Sequence, residues 1–209
     1  MSTKRKGSLQ RFRQLLRKGK YIFHVHTKFT DGESSVEEYC EFALSKGFRS
    51  IVFTEHVRAA LDYNFSEFLQ ALEHCSTAYA PLEILSGVEA KMLPDGTLDC
   101  PPAVLERVEV LGIACHSFPA DKELYTRVAK QVFERYSAKG QVCVWLHPGL
   151  FLKRNSLRYE KSFLDLLSFA TATGIFIERN LKHGLPWQEV LSRVRKEFQV
   201  EGFDAHSIK

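Results

Sequence analysis

Histidine and carboxylate residues recur along this chain at intervals of about thirty residues, each at or near the C-terminal end of a short apolar run. The runs read YIFHVH (21–26), SIVFTEH (50–56), EILSGVE (83–89), VEVLGIACH (108–116), VCVWLH (142–147), GIFIE (174–178) and VEGFDAH (200–206). They deliver His24 and His26, His56, Glu89, His116, His147, Glu178, and Asp204 with His206. Imidazole nitrogens and carboxylate oxygens without thiolates are a donor set suited to Zn, Mn or Fe. A single His-x-His pair has a plain reading as core or surface histidines. Donors at the ends of seven successive runs do not.

The interval between markers is the length of one βα unit. A barrel of parallel strands gathers such strand ends onto one rim, where its active site sits. The spacing therefore predicts an α/β barrel with a polynuclear metal site. Alternate residues of a strand project to the same side, so His24 and His26 are expected to grip one ion together, and Asp204 with His206 to repeat that geometry. Helix-like stretches fill the intervals: Ser34–Lys46, Phe65–Tyr79, Lys122–Lys139, Ser162–Thr173 and Pro186–Phe198. In the first, Ser34 or Ser35 can cap the start, and Glu37 and Glu38 suit the positive end of the helix dipole. Val36, Tyr39, Cys40, Ala43 and Leu44 form its apolar face, and Lys46-Gly47 ends it. Pro94-Asp95-Gly96 marks a turn, predicting a small hairpin or loop over Met92–Pro102. No helix is expected after the seventh run, and an N-terminal helix around Leu9–Arg17 is expected to cover that gap.

Several residues admit two readings from sequence. Glu89 is costly to bury unless paired or metal-bound; it bridges two ions or forms a salt bridge, with Lys91 the nearest partner. Asp31, in Thr30-Asp31-Gly32, reads by itself as a turn aspartate. Glu55 either orients a neighbouring ligand or makes a salt bridge. Glu178 lies in Ile177-Glu178-Arg179-Asn180, where pairing with Arg179 is an equal alternative. His74 and His183 read as ordinary surface histidines. Arg58 and Lys91, just past strand ends, could hold a phosphate or serve as rim salt bridges.

Taken in order, His24-Val25-His26-Thr27, Thr30-Asp31-Gly32, Thr54-Glu55-His56, Gly87-Val88-Glu89, His116, His147-Pro148 and Asp204-Ala205-His206 resemble the motifs of the PHP (polymerase and histidinol phosphatase) superfamily. The resemblance spans residues 21–206. It implies a distorted seven-stranded (β/α)7 TIM-like barrel binding two to three divalent metal ions. By motif, one ion takes His24, His26, Glu89 and Asp204; a second takes Asp31, His56 and His206; a third takes Glu89, His116 and His147. It thereby raises Asp31 from turn residue to ligand. The chain departs from the family pattern in three places. Glu55 stands where an Asp is usual, Phe203 stands where a small residue is usual, and the chain ends early.

The implied activity is hydrolysis of a small phosphate monoester, with Asp204 and His206 in the catalytic group. A metal-activated hydroxide would attack phosphorus, Arg58 or Lys91 would steady the phosphate oxygens, and His206 or a bound water would protonate the leaving group. A nuclease or phosphodiesterase acting on nucleic acid or nucleotides is the second reading. A metal-bound scaffold without turnover is the third.

Composition sets the remaining expectations. The chain has 209 residues and a net charge of +4, which suits one barrel (21–209) behind a basic arm or helix (1–20). Residues 1–20 carry Lys4, Arg5, Lys6, Arg11, Arg13, Arg17, Lys18 and Lys20 and no acid, so the remainder is net negative. The arm is either a solvated terminus leading into a short helix or an attachment for a polyanion such as nucleic acid, with steep salt dependence. No apolar run is long enough to span a membrane, and no signal-peptide core is seen, so a cytoplasmic protein is expected. Five cysteines without a CxxC pair predict thiols rather than a disulfide framework or a Cys-rich zinc site.

Overall fold

The computed structural model describes residues 3–208, with side chains from Gly7 onward. Its centre is a sheet of seven parallel strands in sequential order: β1 (Tyr21–Val25), β2 (Ser50–Val57), β3 (Glu83–Lys91), β4 (Val110–Ala114), β5 (Val142–Trp145), β6 (Phe176–Asn180) and β7 (Gln199–Gly202). Helices between the strands cover the outside: α2 (Val36–Ser45), α3 (Phe65–Ala78), α4 (Pro102–Leu105), α5 (Lys122–Ser137), α6 (Leu150–Arg154), α7 (Lys161–Ala172) and α8 (Gln188–Leu191). The strands are buried nearly throughout, as parallel strands covered on both faces must be.

The barrel closes by a narrow seam. Beyond β7 the chain meets β1 through one parallel bridge, Val25 to Ala205. Phe203 N–H donates to the Phe23 carbonyl (2.9 Å), Ala205 N–H to the His24 carbonyl (3.0 Å), and His26 N–H to the Ala205 carbonyl (2.9 Å). The expected (β/α)7 barrel is thus present and nearly closed.

Local chemistry explains the helices that frame the site. Ser35 caps α2 in a capping box, its side chain accepting from Glu38 N–H while Glu38 returns the bond to Ser35 N–H. Asn64 and Asp121 cap α3 and α5 in the same sense. After α2, Gly47 takes φ +74°, and Phe48 N–H reaches back to the Ala43 carbonyl. The buried face of α2 is Val36, Tyr39, Cys40 and Ala43; Leu44, expected on that face, is 42% exposed.

Helix α1 (Thr3–Lys18) is longer than the sequence indicates. Phe12 and Leu15 are fully buried, and Phe12 packs edge-on against Phe23 and Phe176. Arg11 ties the helix to Glu83, at the start of β3, and to Glu109, just before β4. Helix α1 is therefore packed against the end of the barrel where the strands begin. Lys4, Arg5 and Lys6, counted in the basic arm, have side chains outside the described ones.

Two elements differ from expectation. The Pro186–Phe198 stretch is broken into α8 and a short 3-10 turn at Lys196–Phe198, because the chain must turn back into β7 at Gln199. Its N-cap, Trp187, also supplies no side-chain cap. The last run is a strand only over its first half: β7 ends at Gly202, before Asp204 and His206. The Met92–Pro102 hairpin forms as anticipated, with Met92 paired to Leu98 around the Pro94-Asp95-Gly96 turn. All five cysteines are buried and none forms a disulfide.

Candidate metal centre

The strands deliver their markers to one rim, but not by simple alternation. His24 sits at φ +69°, and the β1–β2 register shifts between Phe23 and Val25. That irregularity aims both imidazoles at one carboxylate. His147 (φ +33°) and Asp204 (φ +51°) share the unusual backbone sign. Positive φ costs a non-glycine residue of order 1–3 kcal/mol, and such residues cluster where function imposes geometry. Irregular backbone thus replaces the i, i+2 explanation: it brings His24 and His26 together at Glu89, whereas Asp204 joins His24 and His147, and His206 joins His26, Asp31 and His56.

Glu89 is the hub. It is 1% exposed and leaves β3 beside five imidazoles. Its Oε2 lies 3.1 Å from His24 Nε2, 3.2 Å from His26 Nε2 and 3.5 Å from His56 Nδ1. Its Oε1 lies 3.1 Å from His147 Nε2 and 3.4 Å from His116 Nε2. Lys91, the salt-bridge partner considered for it, is bound instead to Asp99 at 3.2 Å. Burial alone would raise the Glu89 pKa, but the imidazoles of His147, His24 and His26 hold it well below the usual carboxylate range.

Four overlapping groups of donors converge around this hub, each with atoms within 4.8 Å of one another. They are His24/His26/Glu89, His24/His147/Asp204, Glu89/His116/His147, and His26/Asp31/His56/His206. In the last, Asp31 Oδ2 is 3.4 Å from His56 Nε2 and 3.5 Å from His206 Nε2. All nine residues expected as ligands are therefore brought together.

The donors fit divalent cations. Both ring nitrogens of His26, Nδ1 of His56, Nδ1 of His147 and Oε1 of Glu89 are buried without a hydrogen-bond partner. Buried polar atoms left without hydrogens between them are expensive unless something else satisfies them. Nitrogen and oxygen lone pairs converging on shared points are satisfied by a cation. Burial depresses the His116 pKa to about 4, keeping that imidazole neutral and its lone pair available.

A buried outer layer fixes these donors. Glu178 Oε1 lies 2.5 Å from His24 Nδ1, its Oε2 accepts from His147 N–H (2.5 Å), and Asn180 Nδ2 also donates to Oε2 (3.2 Å). The pairing of Glu178 with Arg179 does not occur: Arg179 binds Glu201 on the outside. Gly202 makes room for this carboxylate, since a Cβ there would stand 1.9 Å from Glu178 Oε1. Glu55 accepts from Thr27 N–H (2.9 Å) and the Thr30 hydroxyl, tethering the loop that carries Asp31. Its burial raises its pKa to about 7, the bonds from Thr30 and Thr27 offsetting part of the rise.

Three further residues border the site, among them His183, which the sequence marks only as an ordinary surface histidine. His183 Nε2 lies 3.3 Å from Asp204 Oδ2. Lys182 Nζ lies 3.2 Å from Asp204 Oδ1 and 3.2 Å from His206 Nδ1. Asn180 Nδ2 approaches Asp204 Oδ2 at 3.5 Å. The available signal was position: they stand at or just beyond the end of β6, as the other donors stand at or just beyond the ends of their strands. Arg58, nominated for phosphate, donates to the neighbouring Val57 carbonyl (2.7 Å).

A family model described as the PHP domain matches residues 23–182. The chain belongs to the PHP domain family. This match ends at Lys182, so Asp204 and His206 join the PHP site through the seam described above. The DNA polymerase/3'-5' exonuclease PolX of Bacillus subtilis is 28% identical over 163 residues, a stretch covering 75% of this chain. The match spans only 28% of that protein's length. Among solved structures, histidinol phosphate phosphatase from Lactococcus lactis, complexed with zinc, L-histidinol and phosphate, superposes with a TM-score of 0.65 at 15% identity. The superposition covers 90% of this chain and 87% of that one, so the PHP-type barrel is shared almost end to end.

Proposed function

We propose that this PHP-family chain is a metal-dependent phosphoesterase that hydrolyses a small phosphate monoester. The observation that carries the reading is Glu89, a buried carboxylate placed between two sets of imidazoles with both oxygens facing nitrogen donors. His24, His26, Glu89 and Asp204 would hold one divalent ion, Asp31, His56 and His206 a second, and Glu89, His116 and His147 a third. Zinc, which accompanies the Lactococcus enzyme, is one candidate, and manganese and iron suit the same donors. Ions held there would polarise a phosphoryl oxygen and lower the pKa of a bound water. The chain's own part is to fix those donors from behind through Glu178 and Glu55, while Asp31, His56, His116 and His206 stay partly exposed. His206, the most exposed of the six grouped imidazoles at 28%, would serve as a donor to the second ion, and a bound water beside it would protonate the leaving oxygen.

The test is phosphate release from a panel of small phosphomonoesters, with Mn²⁺ or Zn²⁺ supplied and Asp204→Ala alongside. Release that vanishes in the variant supports the reading. Metal-loaded protein that leaves every monoester intact overturns it. The similarity to PolX favours cleavage of nucleic-acid diesters as the second reading, and oligonucleotides then become the substrate to try. Metal-loaded protein inert to both would be a binding scaffold.

A further inference from the structure

Resting on that phosphoesterase reading, we infer that the site prefers substrates bearing a second anionic group beyond the scissile phosphate, held by a basic wall built from the loops after β5 and β6. This wall lies on one side of the rim. Helix α6 begins within three residues of His147 and ends in Lys153 and Arg154. The β6 loop follows with Lys182 and His183. The two loops are tied together, Lys153 Nζ donating to the His183 carbonyl at 3.1 Å. Lys182 forms the inner end of the wall, between Asp204 and His206. Lys153 extends it outward, its Nζ held at the carbonyl of the same His183 whose ring approaches Asp204 at 3.3 Å, and exposed Arg154 follows it at the end of α6.

No carboxylate among the described residues pairs with Lys153 or Arg154. The carboxylate at the inner end of the wall, Asp204, is engaged with Lys182 and His183. A site for a cationic leaving group would place carboxylates here. Instead Lys153 and Arg154 stand without carboxylate partners outward of Lys182, whose Nζ lies against Asp204, and ammonium and guanidinium groups are the donors that suit a second anion. A phosphorylated alcohol carrying another phosphate or carboxylate is the matching substrate class, and an aminoalcohol phosphate is the mismatched one.

The experiment is calorimetric titration of the metal-loaded protein with fructose 1,6-bisphosphate, fructose 6-phosphate and L-histidinol phosphate. The bisphosphate is expected to bind about tenfold more tightly than the monophosphate, with histidinol phosphate weakest. The advantage should shrink with added salt. In a Lys153→Ala/Arg154→Ala variant, checked for native circular dichroism, the advantage of the bisphosphate should fall to within about threefold. Equal affinities in the wild type, or tightest binding of histidinol phosphate, would overturn the inference. Tight bisphosphate binding by a protein that releases no phosphate would sink the esterase reading while leaving the anionic wall standing.

Discussion

At the scale of single residues, the site is held by side chains that donate to no ion themselves. Glu178 binds His24 and the backbone of His147 at once, so it sets the orientation of two donors that meet in one group with Asp204. Glu178→Gln keeps the shape but removes the charge and one acceptor. It should weaken metal affinity by about 10–100-fold with the fold intact. Metal content measured after dialysis against graded chelator checks this, and wild-type retention would reduce Glu178 to a packing residue. The donors other than Asp31 were legible in the sequence, because each closes an apolar run and so announces its own strand end; Asp31 was raised from turn residue to ligand only by the resemblance. What holds them was not. Glu178 and Glu55 looked like candidates for salt bridges because a linear reading shows only neighbours, such as Arg179. Their partners lie 154 and 31 residues away for Glu178, and 28 and 25 for Glu55. His183 and Lys182 were missed for a similar reason: nothing local distinguishes a loop histidine beside Asp204 from one facing water.

At the scale of elements, α1 is part of the barrel's packing as much as a carrier of charge. Phe12 and Leu15 are fully buried, and Arg11 is committed to Glu83 and Glu109. Phe12→Ala should destabilise the protein by about 3–5 kcal/mol, measurable as a shift in the urea midpoint. Trimming residues 1–20 is therefore a poor way to ask whether the basic residues attract nucleic acid, since it also uncovers the core. Substituting Arg13 and Arg17, which project from the same helix, asks that question with the packing kept. The seven strands and the main helices followed from apolar runs and caps such as Ser35 and Asn64. The ends of β1 and β7 did not, because the register shift at His24 and the turn at Asp204 break the period of two on which the sequence reading relies.

At the scale of the whole molecule, the donors come from all around the barrel: β1 and the loop after it, β2, β3, the loops after β4 and β5, and the segment after β7. Ions bound at these groups together link segments spread over 183 residues of chain, from His24 to His206. Chelation should therefore lower the melting temperature, and added Zn²⁺ or Mn²⁺ at about 100 times its Kd should add about 2.7 kcal/mol of stability. Scanning calorimetry with and without chelator reads this; an unchanged melting temperature would argue against a structural contribution of the metal. The seam between β1 and the chain after β7 gives this coupling a direction. It consists of a single bridge and three backbone hydrogen bonds; His24 and His26 make two of those bonds with their own backbone, and Phe203 and Ala205, which make the other ends, flank Asp204 and precede His206. The latch of the barrel and the grip on the metal are thus the same few residues. Amide protons of His26, Phe203 and Ala205 should exchange with deuterium slowly in the loaded protein and markedly faster after chelation, while those of β3 and β4 stay protected. The metal-free molecule would then breathe at one place, opening along the line where its first and last strands meet.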